Sequence, residues 1–177
     1  SYSISQMTST AHFAAKKIHS FLTDTPDNQS AIVEVESCTK KTRQLRLFNF
    51  ATGKSTLIYN STKSEPIKYT VLSRVENGAK LNRFLLVASC GTDQCFILSY
   101  DLTDPSISSD KFSILLNKFK KTSTDKLIED FWVTKKNNSN GDEYFLIIQK
   151  NKLNEFISME SYGLTIDNEG LSIKNNA

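Results

Sequence analysis

Short runs of β-branched and aromatic residues alternate with turn chemistry along almost the whole chain, and no long helical periodicity interrupts them. The runs fall at Ala31–Ser37, Gln44–Phe50, Ser55–Tyr59, Lys68–Val75, Arg83–Ser89, Gln94–Asp101, Lys111–Leu116, Glu129–Thr134, Glu143–Gln149 and Leu153–Met159, with weaker ones at Leu164–Ile166 and Leu171–Ile173. Between them lie Thr52-Gly53-Lys54, Asn77-Gly78, Gly91-Thr92-Asp93, Asp104-Pro105-Ser106, Asn138-Ser139-Asn140-Gly141-Asp142 and Asp167-Asn168-Glu169-Gly170, which bend a chain readily. Thr8–Leu22 alone reads equally as helix or strand. An all-β fold follows, and a βαβ nucleotide fold is excluded.

The chain also resembles itself. At an offset of about 52 residues, Ile32 falls on Phe84, Val33 on Leu85, Val35 on Val87 and Ser37-Cys38 on Ser89-Cys90. Leu45 then falls on Ile97, Phe48 on Tyr100, Asn49 on Asp101 and Phe50 on Leu102. A weaker third copy places Phe145-Leu146-Ile147-Ile148 on Phe84-Leu85-Leu86-Val87, about 61 residues on. The expectation is about three four-stranded antiparallel meanders, over 16–60, 68–117 and 128–173. They form a single all-β domain over 16–177 behind an N-terminal extension of 1–15.

Leu45-Arg46-Leu47-Phe48-Asn49-Phe50-Ala51-Thr52-Gly53-Lys54 resembles the third strand and turn of a WD-repeat β-propeller blade. Phe48 stands where that family usually has Trp, and Asn49 where it has Asp. Ser99-Tyr100-Asp101-Leu102-Thr103-Asp104 repeats the theme, and the third copy keeps Met159-Glu160. No copy carries a Gly-His dipeptide, and the repeat exceeds the usual ~40–45 residues. The resemblance implies part of a β-propeller. Since propellers close with roughly four to eight blades, three leave others to come from the parent chain, a partner or a second copy. The alternative is a single β-barrel or β-sandwich.

Chemistry is sparse. Only two His occur, His12 and His19, so a Ser-His-Asp or Cys-His site has little to draw on. Three Cys are too few for a tetrahedral metal site without imidazole help. Cys90 and Cys95 flank an expected hairpin as a cross-strand pair or as buried small residues, and the match of Cys38 with Cys90 favours packing. Gly53-Lys54-Ser55-Thr56 echoes a phosphate loop but lacks its first Gly, and no helix pattern follows. The expectation is a chain without catalytic residues, cofactor or metal.

Among 22 basic and 19 acidic residues, a formal charge of +3 neither requires nor excludes an acidic partner. The basic residues cluster at Lys40, Lys41 and Arg43, at Lys118, Lys120 and Lys121, and at Lys135 and Lys136, the candidates for contact with a protein partner or RNA phosphates. An odd cysteine count and the lack of a leader point to an intracellular, reducing compartment, nucleus or cytoplasm. No apolar run reaches the ~18–20 residues of a membrane span. Asn28, Asn60 and Asn137 open glycan-acceptor triplets, which in so Asn- and Ser-rich a chain read as coincidence. A start at Ser1 without Met suggests a piece of a longer protein.

The functional expectation is a non-enzymatic protein–protein interaction scaffold, a subunit of a multiprotein complex. An RNA-associated module of ribosome or RNA-processing machinery and a small ligand-binding β-barrel are the alternatives.

Overall fold

In a computed structural model the described residues are 13–21, 30–75, 81–91, 94–120, 125–152 and 157–174. They form twelve strands in three four-stranded antiparallel sheets, each ordered as in the sequence. The first holds β1 (Phe13–Phe21), β2 (Ser30–Ser37), β3 (Arg43–Asn49) and β4 (Ser55–Ser61). The second holds β5 (Tyr69–Val75), β6 (Leu81–Cys90), β7 (Gln94–Asp101) and β8 (Ser113–Lys120). The third holds β9 (Asp125–Asn138), β10 (Gly141–Lys152), β11 (Ile157–Asp167) and β12 (Gly170–Ile173). The chain is all-β, and the three meanders fall where the internal repeat places them.

Two details differ from the sequence reading. Within the ambiguous N-terminal segment, residues 13–21 are strand, since β1 pairs along β2 from Phe13 opposite Ser37 to Phe21 opposite Ser30, and the rest of the segment lies outside the described residues. And β11 is one strand running through Gly163, where the apolar pattern suggests two. Gly163 lies opposite Phe145, and Lys174, just past β12, packs its stem over the glycine. Missing side-chain bulk at Gly163 thus hides the strand from a hydrophobic pattern without breaking its ladder.

The chain divides into two compact units. One comprises Ser1–Ile67 with Pro105–Lys111, the other Lys68–Asp104 with Phe112–Ala177. In the first unit, β2 is buried on both faces, as its nearly unbroken apolar run requires. Ala31, Val33 and Val35 pack with Phe48 on one face, and Phe13, Ala15 and Phe50 lie against them. Phe48 meets Phe50 edge-on at 5.1 Å, and the Arg46 guanidinium sits 5.9 Å over the Phe13 ring.

In the second unit the second and third sheets share one core. Leu72, Phe84, Leu86, Cys95 and Ile97 of the second sheet meet Ile128, Phe131, Leu146, Ile148 and Leu164 of the third. β9 lies against all four strands of the second sheet and β12 beside β8, so the two sheets pack face to face. Two cations of the β5 side fasten this packing. Lys68 Nζ donates to the Ile128 carbonyl at 2.9 Å and Arg74 donates to the Ile166 carbonyl at 3.1 Å. The opposite face of the second sheet, with Leu85, Val87, Leu98 and Tyr100, is buried as well.

Candidate interaction surfaces

Each third strand ends on an Asx residue that caps the first turn of the connection to the fourth. Asn49 Oδ1 accepts the amides of Ala51 at 2.9 Å and Thr52 at 3.1 Å. Asp101 Oδ1 accepts the amide of Thr103 at 2.9 Å and its hydroxyl at 2.5 Å. Asp167 Oδ1 accepts the amide of Glu169 at 2.8 Å. A short side chain answering amides two residues on is the Asx turn, and it fixes where the chain reverses. The third copy therefore carries its counterpart of Asn49 and Asp101 at Asp167, not at Met159-Glu160, which lie far back along β11. The turn signal at Asp167-Asn168-Glu169-Gly170 pointed there. Matching strands at one offset missed it because β10 and β11 are longer than their counterparts.

The hairpins of the first two sheets also differ. Asn49 pairs with Ser30, and Asp101 with Phe84, so with the third strands in line the second strands are displaced by two residues from the sequence match. An even displacement keeps every side chain on its own face, which is why the apolar match survives it. The cysteine match does not. Cys90 lies opposite Cys95 in the ladder and is bonded to it, with Cys95 fully buried. Cys38 sits exposed in the β2–β3 turn as a free thiol, so the equivalent packing expected for it fails.

The basic candidates fare unequally. Arg43 is turned inward: it contacts Glu34 at 3.2 Å and Glu36 at 3.4 Å. Glu36 is also approached by Lys16 at 3.8 Å and Lys41 at 4.0 Å. Lys40 and Lys41 are exposed in the β2–β3 turn, Lys41 with a left-handed φ of 55°. Lys135 and Lys136 are exposed near the tip of the β9–β10 hairpin, where Lys135 pairs with Asp142 at 3.5 Å and Lys136 lies opposite Glu143. Lys118 and Lys120 belong to β8, but their side chains, like the whole of Lys121, fall outside the described residues, as do His12 and the His19 side chain.

The phosphate-loop echo is a hairpin. Gly53, with φ 69°, forms the β3–β4 turn and donates its amide to the Asn49 carbonyl, and β4 begins at Ser55. Among the described residues no three His, Cys, Asp or Glu side chains gather as metal ligands. Among the described residues no helix is long and apolar enough to cross a membrane.

One surface was not foreseen. The face of the third sheet turned away from its core carries Trp132 directly opposite Ile147, Phe145 opposite Gly163, and Met159 opposite Gln149. Trp132, Phe145 and Ile147 are half-buried and Met159 is 63% exposed. A shallow pocket of about 320 Å³ opens beside Phe145, bounded by Ser161, Gly163 and Lys174. On the core side, Tyr162 donates to Glu160 at 2.5 Å and Lys150 Nζ donates to the same carboxylate at 2.8 Å. Burial, then this bond and the carboxylate's charge, raise the Tyr162 hydroxyl above the ordinary tyrosine range, which makes it a poor proton donor at neutral pH. Comparison with protein-family models, curated proteins and solved structures finds no match.

Proposed function

We propose that the chain is a non-enzymatic interaction module, a run of propeller-type sheets whose last member offers a face to a further sheet. One comparison carries this reading. Phe84 and Leu86 of the second sheet are 4% and 0% exposed because the third sheet covers them. Their repeat counterparts on the third sheet are Phe145 and Ile147, which lie on the face away from its core, half-buried beside exposed Met159. A position filled by apolar side chains in both copies, and covered in one, is suited to the same kind of cover in the other. Face-to-face packing of the second and third sheets is compatible with the propeller form, in which neighbouring blades pack in that way. A face-to-face pair also occurs in sandwiches, so the function rests on the uncovered face and not on the fold's name.

The test is the solution mass of the 177-residue chain over a concentration series, with Ile147→Glu alongside. Association above 20.0 kDa that the substitution abolishes supports the reading. A cooperative monomer for both proteins, with unchanged stability, would overturn it.

A further inference from the structure

The segment 62–67 follows β4 at the edge of the first sheet and doubles back across it. Its Ser64 carbonyl accepts from Arg43 Nε on β3 at 3.1 Å. Three residues on, the Ile67 amide donates to Glu34 Oε2 on β2 at 2.8 Å. Residues 62–66 are exposed and polar apart from Pro66, and only Ile67 is partly buried, so apolar packing contributes little to holding this strap.

Both bonds end on the same ion pair. Glu34 is 2% exposed, and its Oε2 receives the Arg43 guanidinium and the Ile67 amide together. Arg43 divides its donors among Glu34, Glu36 and the strap carbonyl. Around the pair stand Glu36, Lys16 and Lys41, and among the described residues the guanidinium is the cation that reaches the buried carboxylate while the lysines answer Glu36 from outside. A carboxylate so deeply buried is stable only while its partners stay, because desolvation leaves it no water to fall back on. The strap bonds are therefore coupled. Removing either charged member releases both.

We infer that Glu34 and Arg43 form a charged latch that clasps the strap 62–67 across the first sheet, and that this strap, leading from the first unit into the second, opens as one step. An apolar seam frays gradually, whereas a segment held at two points by one ion pair has a closed state and an open one. The latch acts on the chain's path and does not depend on the function proposed above.

Amide exchange and limited trypsin digestion of the 177-residue chain test it. In the unaltered protein the Ile67 amide is protected, and cleavage after exposed Lys63 is slow. Glu34→Gln keeps an acceptor but removes the charge, and raises Ile67 exchange and Lys63 cleavage about tenfold or more, since a bond to a charged group outweighs one to a neutral group. Arg43→Lys keeps a charge but loses the forked donor that reaches Ser64, and loosens the strap in the same direction. In at least one variant the ladder amides of Ile32 and Leu47 stay protected. An Ile67 amide that exchanges freely in the unaltered protein, or stays protected in both variants, would sink the inference. So would equal loss at Ile67 and along the ladder in both variants, because the pair would then serve the sheet and not the strap.

Discussion

The second and third sheets have the same strand order and matching central strands, yet their two faces meet different fates. In β6, neighbours Leu85 and Leu86 point to opposite faces and both are fully buried. In β10, Ile148 is fully buried while its neighbour Ile147 is half-exposed. The local sequences Phe84-Leu85-Leu86-Val87 and Phe145-Leu146-Ile147-Ile148 are almost interchangeable in hydrophobicity. The two strands thus differ in cover and not in composition, and an apolar run signals readiness to be covered, not cover itself.

The sharpest way to break that comparison is truncation. Leu86→Ala and Ile148→Ala should each cost about 3 kcal/mol in urea unfolding, the usual loss for a buried aliphatic in a packed core. Ile147→Ala should cost about 1 kcal/mol or less in the same experiment, since part of its surface is already in water. If Ile147 and Ile148 proved equally costly, the third sheet would be covered on both faces in solution, and the contrast would vanish.

Smaller effects test the feature the sheets share. Asp101→Ala and Asp167→Ala should each lower stability by about 1 kcal/mol, because each removes a side-chain acceptor that closes a turn. Their urea midpoints should shift by similar amounts. A loss at Asp101 with none at Asp167 would mean that the third turn closes by other means.

The smallest expected effect concerns Tyr162 of the third sheet. Its hydroxyl ionises at higher pH in the folded chain than in the unfolded one. Its contribution is complete below the ordinary tyrosine pKa and is lost as pH rises through that value toward the folded one. Alkaline unfolding of Tyr162→Phe should accordingly show a shallower loss of stability above about pH 10. An identical alkaline profile would show that the Glu160 bond does not hold the proton.

Much of the architecture was legible beforehand, and for a physical reason. Period-two alternation reports the pleat directly, so the three meanders and most strand centres stood out. What escaped were features made by spacing between strands. The displacement of β2 relative to β6 is even, which leaves the alternation intact while moving Cys38 from ladder to turn. Gly163 carries no side chain to mark β11 as continuous. Arg43 was grouped with Lys40 and Lys41 by charge alone, but its carboxylate partners stand on β2, and only the β2–β3 register brings Glu34 and Glu36 to it. The apolar face of the third sheet was visible as alternation, but a pattern that marks two faces does not tell which one meets water.

The division of the chain has a bearing on how the protein comes into being. The first unit includes Pro105–Lys111, where Ile107 is buried, although those residues are encoded after β5, β6 and β7. During synthesis its four strands leave the ribosome well before this piece, so the contacts between the two form only after β7 has been made.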